Sequence, residues 1–328
     1  MPPKDRSSPP PSLSHTLDLF GDPIEQQPPL PSTVRRVINA AVEIAQDPPE
    51  NIDFLHAVLC QVGMPRKKTE GRIFERQNGT TSMVLEAGRI WRQGKWVEQP
   101  LPYGTKPRLV MVHISGEAVR RKSREIEIGS NMRKFLIRLG IDTSGGSKGG
   151  YTMFKKQMEA LAACRLSLGA SLNDRDITIN TQPIRRFEAW LNHDSHQQTI
   201  WPGVLELSED FYSTLTEHAV PLDHRALAAI KHSALALDIY TWFAHRLCRI
   251  GKPEGIHISW ANLKSQFGQE YGNPKDFKRE FRQALIQVRS VYPDARLDSF
   301  PGGLVLLPSK PPVPKTQVLM PKRAGDKS

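Results

Sequence analysis

Apolar residues Val34, Val37, Ile38, Ala41 and Ile44 recur at helical spacing behind Ser32 and Thr33, either of which can cap a helix, and Asp47-Pro48-Pro49 stops it. The next apolar stretch predicts a second short helix over Asn51 to Val62, ended by Gly63 and Pro65. Through Phe74-Glu-Arg-Gln-Asn-Gly79, Thr81 to Leu85 and Ile90 to Val97 the pattern becomes strand-like and glycine-punctuated.

From Tyr103 onward one plan is written twice. The first copy has an apolar segment (Leu109 to Val119), a short helix (Asn131 to Leu139), a Gly-rich turn (Gly140 to Gly150), a longer helix (Thr152 to Cys164) and alternating strands (Asp176 to Ile184, Gln198 to Leu207). The second has a long helix (Asp223 to Arg249), a short helix (Ser259 to Phe267), a turn (Gly268 to Asn273), a longer helix (Pro274 to Val291) and a Gly-turn hairpin (Ala295 to Leu307). Phe135, Leu139 and Gly140 match Leu263, Phe267 and Gly268 in spacing, and Phe154-Lys-Lys-Gln-Met158 is similar to Phe277-Lys-Arg-Glu-Phe281. Helix, helix, turn, helix, hairpin is the order of a winged helix. The expected fold class is therefore α+β, with tandem winged-helix domains over 33–210 and 211–309. Nine of the 27 prolines lie between Pro2 and Pro31 and five more between Pro308 and Pro321, so tails over 1–32 and 310–328 are expected to be disordered.

Charge adds a partner to this picture. The chain of 328 residues carries 45 Lys or Arg against 34 Asp or Glu, a net +11 that suits a polyanion. Twelve of these basic residues and four of the acidic ones fall between Gly104 and Lys156. Lys106, Arg108, Arg120, Arg121, Arg124, Lys148, Lys155 and Lys156 are the candidates there for contacts to a DNA backbone, which positions a protein without reading sequence. The helix Pro274 to Val291 divides differently. At about 100° per residue from Lys275, the apolar Phe277, Phe281, Ala284, Leu285, Val288 and Val291 occupy an arc of roughly 160° to 280°. Lys278, Arg282 and Arg289 gather at roughly 300° to 340° beside Lys275, with Arg279 near 40°. An ordinary surface helix can carry such a stripe. Its place after a short helix and before a Gly-Gly hairpin favours a helix that reads the major groove.

Chemistry of other kinds finds little support. Cys60, Cys164 and Cys248 are far apart in apolar stretches, which gives neither a disulfide framework nor a zinc site and fits a reducing cytoplasm. No signal-peptide core or membrane span is written in the chain, and the expectation is a protein that is not secreted. The glycine turn lacks the Gly-Lys-Ser/Thr end of a nucleotide-binding loop, and His193 and His196 lack the acidic partner and third ligand of a metal nuclease. No tyrosine stands beside a histidine pair, as a nicking initiator would need. The expectation is a protein that is not an enzyme and takes no cofactor or metal.

Phe74-Glu-Arg-Gln-Asn-Gly79, Pro102-Tyr-Gly-Thr-Lys-Pro-Arg-Leu109, Glu117-Ala-Val-Arg-Arg-Lys-Ser-Arg-Glu-Ile-Glu-Ile-Gly129 and Phe154-Lys-Lys-Gln-Met-Glu-Ala-Leu161 resemble the plasmid-encoded RepA replication initiators over roughly 52–307. The resemblance implies a theta-type initiator built from winged helices. Such a protein binds repeated sites (iterons) in double-stranded DNA at a plasmid origin, helps melt it and recruits host replication proteins such as the helicase, often with autorepression. It also implies work in the bacterial cytoplasm, leaves room for a monomer–dimer equilibrium, and keeps a winged-helix transcriptional repressor as the rival. Gly116 and the run Leu109 to Ile114 depart from the family pattern, and that segment stays open between helix and strand. In the N-terminal tail, Leu17, Leu19 and Phe20 resemble the Gln-Leu-x-Leu-Phe peptide by which bacterial proteins dock on the sliding clamp, with Thr16 in place of glutamine.

Overall fold

The structure, a computed structural model, describes residues 31–314 apart from 93, 128–134, 138, 142–148, 173–174 and 188–203. The expected helix over Asn131 to Leu139 lies largely outside the described residues, as do Lys148, His193, His196 and the peptide around Leu17, Leu19 and Phe20.

The chain opens with α1 (Ser32–Gln46), whose N-cap is Pro31 rather than Ser32 or Thr33. The helix expected over 51–62 is instead β1 (Ile52–His56) followed by the single turn α2 (Ala57–Gln61), capped by the His56 ring. The reason is tertiary: β1 pairs antiparallel with β11 (Ala219–Asp223), in the register Phe54 to Pro221, and is buried on both faces. A strand buried on both faces shows no alternation, so its sequence cannot be told from a buried helix. Strands β2 (Ile73–Asn78) and β3 (Thr81–Glu86) form a hairpin, and β4 (Arg89–Arg92) and β5 (Lys95–Glu98) form another.

The open segment is a helix, α3 (Thr105–Arg121). Pro107 sits in its first turn, where the missing N–H costs nothing, and Pro107 to Gly116 are all buried, so local hydrogen bonds outweigh the β-branched side chains. Gly116 serves packing: a Cβ there would come within 3.2 Å of Asp53 Oδ1 on β1 and of the Arg120 guanidinium. Short β6 (Glu125–Glu127) follows, and then α4 (Gly150–Ala163). Strand β7 (Arg165–Leu172), which the periodicity did not predict, joins β8 (Arg175–Thr181) to the first hairpin as a sheet ordered β2-β3-β7-β8. The strand expected over Asp176 to Ile184 is divided between β8 and β9 (Ile184–Phe187), and the described part of the one expected over Gln198 to Leu207 is β10 (Val204–Leu207); β9 and β10 form a separate sheet with β6.

Helix α5 (Glu209–Glu217) leads into β11. The single long helix expected over Asp223 to Arg249 is broken. Asp223 caps α6 (His224–Ile230), Ser233 caps α7 (Ala234–Arg246), and a 3-10 turn covers Leu247–Arg249. Both caps satisfy a helix-start N–H group, so two short helices replace one. Strand β12 (Ile256–Ser259), α8 (Trp260–Phe267), α9 (Pro274–Val291) and the hairpin of β13 (Leu297–Phe300) and β14 (Gly303–Leu306) complete the chain, with the sheet ordered β12-β14-β13. Residues 310–314, expected in the disordered tail, are held: Val313 is buried and Tyr292 Oη donates to the Lys310 carbonyl at 2.6 Å.

The arrangement is mixed α/β with several small open sheets. One apolar core runs from Ala40 and Leu55 through Val110, Phe154 and Leu205 to Phe243, Phe281 and Leu306. It crosses the division expected at residues 210 and 211, as does the β1–β11 pairing.

Candidate nucleic-acid interface

Helix α9 has the boundaries that the sequence pattern predicts, and its caps show why. Asn273 accepts a hydrogen bond from the Lys275 N–H at 2.9 Å, Pro274 occupies the first position, and Asp276 lies in the first turn with Arg289 in the last. Phe277, Phe281, Ala284, Val288 and Val291 are buried. Phe277 and Phe281 form an aromatic cluster with Phe267 of α8, Trp260 and Tyr271. Lys275, Arg279, Arg282 and Arg289 are exposed, and Lys278 is half-buried.

Trp260, which the sequence reading did not single out, organises this face. Lys278 Nζ lies 5.3 Å and Arg282 Cζ 5.4 Å from its ring centroid. Cation–π contact holds both charges at one edge of the helix without neutralising them. The signal in sequence is indirect: Ser259 caps α8, which puts an aromatic at its first position, close to the N-terminal half of α9. Arg279 is engaged differently, 3.0 Å from Asp276 and 3.4 Å from Glu280, both partners with exposed side chains that a phosphate or base edge can displace.

The basic candidates between Lys106 and Lys156 do not form one surface. Arg108 is a correction: it is buried, with Nε 2.7 Å from Asp238 Oδ1, Nη2 2.9 Å from Asp238 Oδ2, and further donations to the carbonyls of Met64, Pro65 and Gly104. It belongs to an internal charge network with Arg66, Arg76, Asp238 and Glu270. Arg66 reaches Glu270 at 2.5 Å and Asp238 at 3.5 Å, and Arg76, fully buried, reaches Glu270 at 3.0 Å. Burial pushes the Glu270 carboxyl up, but the fields of Arg66 and Arg76 outweigh it and lower the group to about 2. Gly63 leaves room for this centre, since a Cβ there would stand 2.6 Å from the Asp238 carboxyl.

Arg120, Arg121 and Arg124 are half-exposed but paired. Arg120 donates to Glu117 at 2.6 Å and to the Ile52 carbonyl, and Asp53 stands 3.5 Å away. Arg121 pairs with Glu117 at 2.8 Å and Glu127 at 3.6 Å, and Arg124 with Glu209 at 3.1 Å and Glu206 at 3.8 Å. Asp53 also lies 2.7 Å from His224 Nδ1, a contact that raises the imidazole above its ordinary value. The cluster's net charge is therefore far smaller than the run Arg120-Arg-Lys-Ser-Arg124 suggests. Lys106 is half-buried in the first turn of α3, and on α4 Lys155 is half-buried and Lys156 exposed.

Among the described residues no group of three or more metal-ligating side chains can hold an ion, and no helix is long and apolar enough to cross a membrane. A family model described as plasmid encoded RepA protein matches residues 101–262. No curated protein matches the chain in sequence. Among solved structures, domains 2 and 3 of RctB are similar, in a selenomethionine derivative (11% identity, 76% of this chain and 96% of that chain covered, TM-score 0.48). A second RctB structure of the same two domains matches at 10% identity, with 76% of this chain and 94% of that one covered and a TM-score of 0.44.

Proposed function

We propose, from the match of the plasmid-encoded RepA family model to residues 101–262, that the protein initiates plasmid replication. It binds repeated iterons in double-stranded origin DNA, helps melt the duplex and recruits host replication proteins, working in the bacterial cytoplasm as a DNA-binding protein and not as an enzyme. In this reading the segments 33–210 and 211–309 are two winged-helix units joined through the shared core and the β1–β11 pairing, and a monomer–dimer equilibrium governs how many iterons are filled.

The geometric observation that carries DNA binding is α9. Its apolar face is fixed in the core, while Lys275, Lys278, Arg279, Arg282 and Arg289 remain on the other side, two of them seated on Trp260. Arginines on such a helix recognise guanine edges in the major groove. Lys106, Lys155 and Lys156 supply phosphate contacts, whereas Arg120, Arg121 and Arg124 do so only by exchanging their carboxylate partners.

The test uses the DNA flanking the gene. A footprint on that DNA should show repeated protected sites, and a plasmid carrying the sites should replicate only when the protein is supplied. Protection without origin-dependent replication would leave a repressor, and no protection would end the proposal.

A further inference from the structure

The hairpin of β4 and β5 carries a feature with no place in a duplex-reading helix. Its sequence, Trp91-Arg-Gln-Gly-Lys-Trp96, is symmetric about the turn, and the register pairs Trp91 with Trp96 across the strands. Gly94 adopts φ +75° in that turn, a conformation open to glycine at no steric cost. The two indoles meet edge to face with centroids 5.4 Å apart, yet Trp91 is 55% and Trp96 63% exposed. An edge-to-face pair contributes about 0.5–1.5 kcal/mol to holding a hairpin, but that role does not require so much indole surface in water.

Trp96, one pair away from the turn-closing Arg92 and Lys95, borders an open groove of about 530 Å³ that is also lined by Arg72, Arg89, Arg165, Glu86 and Gln182. Arg72 and Arg89 share a single carboxylate, Glu98, at 3.0 and 2.9 Å. Arg165 is exposed and has no ion-pair partner among the described residues. Lys95 adds an exposed charge beside the turn. Among the described residues that line the groove or pair with its arginines, the acidic groups are Glu86 and Glu98, so the cations exceed them.

We infer that this hairpin and groove bind single-stranded DNA, with unpaired bases stacking on Trp91 and Trp96 and the phosphates following Arg89, Arg165 and Arg72. Aromatic faces beside a cationic groove are what a single strand needs, because every base has a face to stack and every nucleotide a phosphate to neutralise. A duplex keeps those faces covered by neighbouring bases. The inference rests on the initiator reading only for the source of the strand, a melted origin; the site itself stands on the hairpin.

The experiment uses the full chain and fluorescein-labelled 20-mer oligothymidylate, with a random-sequence duplex and the footprinted origin duplex alongside. W91A/W96A should weaken oligothymidylate binding at least tenfold and leave both duplex affinities unchanged, while W91F/W96F, which keeps stacking faces, should remain within about threefold of the parent. R89A/R165A should lower the slope of log K against log salt by about 0.7 for each phosphate that is no longer neutralised. Unchanged single-strand affinity in W91A/W96A overturns the inference, and so does an equal loss on duplex. A change in sedimentation from dimer to monomer in W91A/W96A also overturns it, assigning the tryptophans to a contact between copies. In each of these cases an intact origin footprint leaves the initiator reading standing.

Discussion

Replacing Arg108 with alanine separates a structural arginine from a DNA-binding one. The side chain is 7% exposed and holds Asp238 through two bonds of 2.7 and 2.9 Å. Once it is gone, Arg66 at 3.5 Å is the remaining cation against Asp238. The Pro65 carbonyl keeps the Gly104 N–H at 3.0 Å, while the buried Met64 carbonyl loses its Arg108 donor, so the cost comes from the carboxylate and from orphaned backbone together. Breaking a buried pair by removing one partner costs about 3–5 kcal/mol, a large part of the roughly 5–15 kcal/mol that holds a typical domain. At about 2–4 °C per kcal/mol for a domain of this size class, Tm should fall by roughly 10 °C. Urea unfolding followed by circular dichroism measures the loss, and DNA titrations below the transition measure binding by the folded fraction. Affinity and salt slope should both be unchanged. Replacing the pair together, Arg108→Met with Asp238→Leu, should recover part of the stability, because the Asp238 carboxylate is no longer left short of a partner and Arg66 keeps Glu270 at 2.5 Å. A loss under about 1 kcal/mol, together with a salt slope lowered by about 0.9, would refute the reasoning and put Arg108 on a phosphate.

Arg279→Ala and Arg282→Ala should each cost about 1–3 kcal/mol on the specific site and much less on random DNA, as electrophoretic titrations on both will show; equal losses would reduce them to phosphate contacts. Stability should respond to acid in two windows. Burial lowers His56 and His245 to about 4 from 6.5, so the unfolded chain takes up protons first and stability falls as the pH drops from 6.5 towards 4. Glu270, lowered from 4.5 to about 2, contributes stability above 4.5 that is lost as the pH falls towards 2. Urea midpoints at a series of pH values test both windows, and His56→Gln should flatten the upper one. A peptide spanning residues 12–22 should bind purified sliding clamp no better than micromolar, and Leu19→Ala with Phe20→Ala should abolish it; identical titrations of the two peptides would end that idea.

The helix Pro274 to Val291 was legible in full because every signal that makes it is local: an Asn-Pro cap, an apolar stripe at helical period, and a cationic stripe beside it. The short helix ending at Phe267 and the closing hairpin were legible for the same reason. Where partners distant in sequence decide the conformation, the reading failed. Ile52–His56 is a strand because Ala219–Asp223 lies beside it, and no local pattern announces a pairing across more than 160 residues. Asp223 and Ser233 break one apolar run into two helices, yet burial on all sides erases the period that would have shown where. The charge count likewise came from the sequence alone, while its distribution did not. Composition makes the chain basic, but only the tertiary structure sends Arg108 inward to Asp238, pairs Arg120, Arg121 and Arg124 with carboxylates, and leaves the arginines of α9 facing water. A charge's partner is set by proximity in space, which sequence spacing specifies only within a helix or a hairpin.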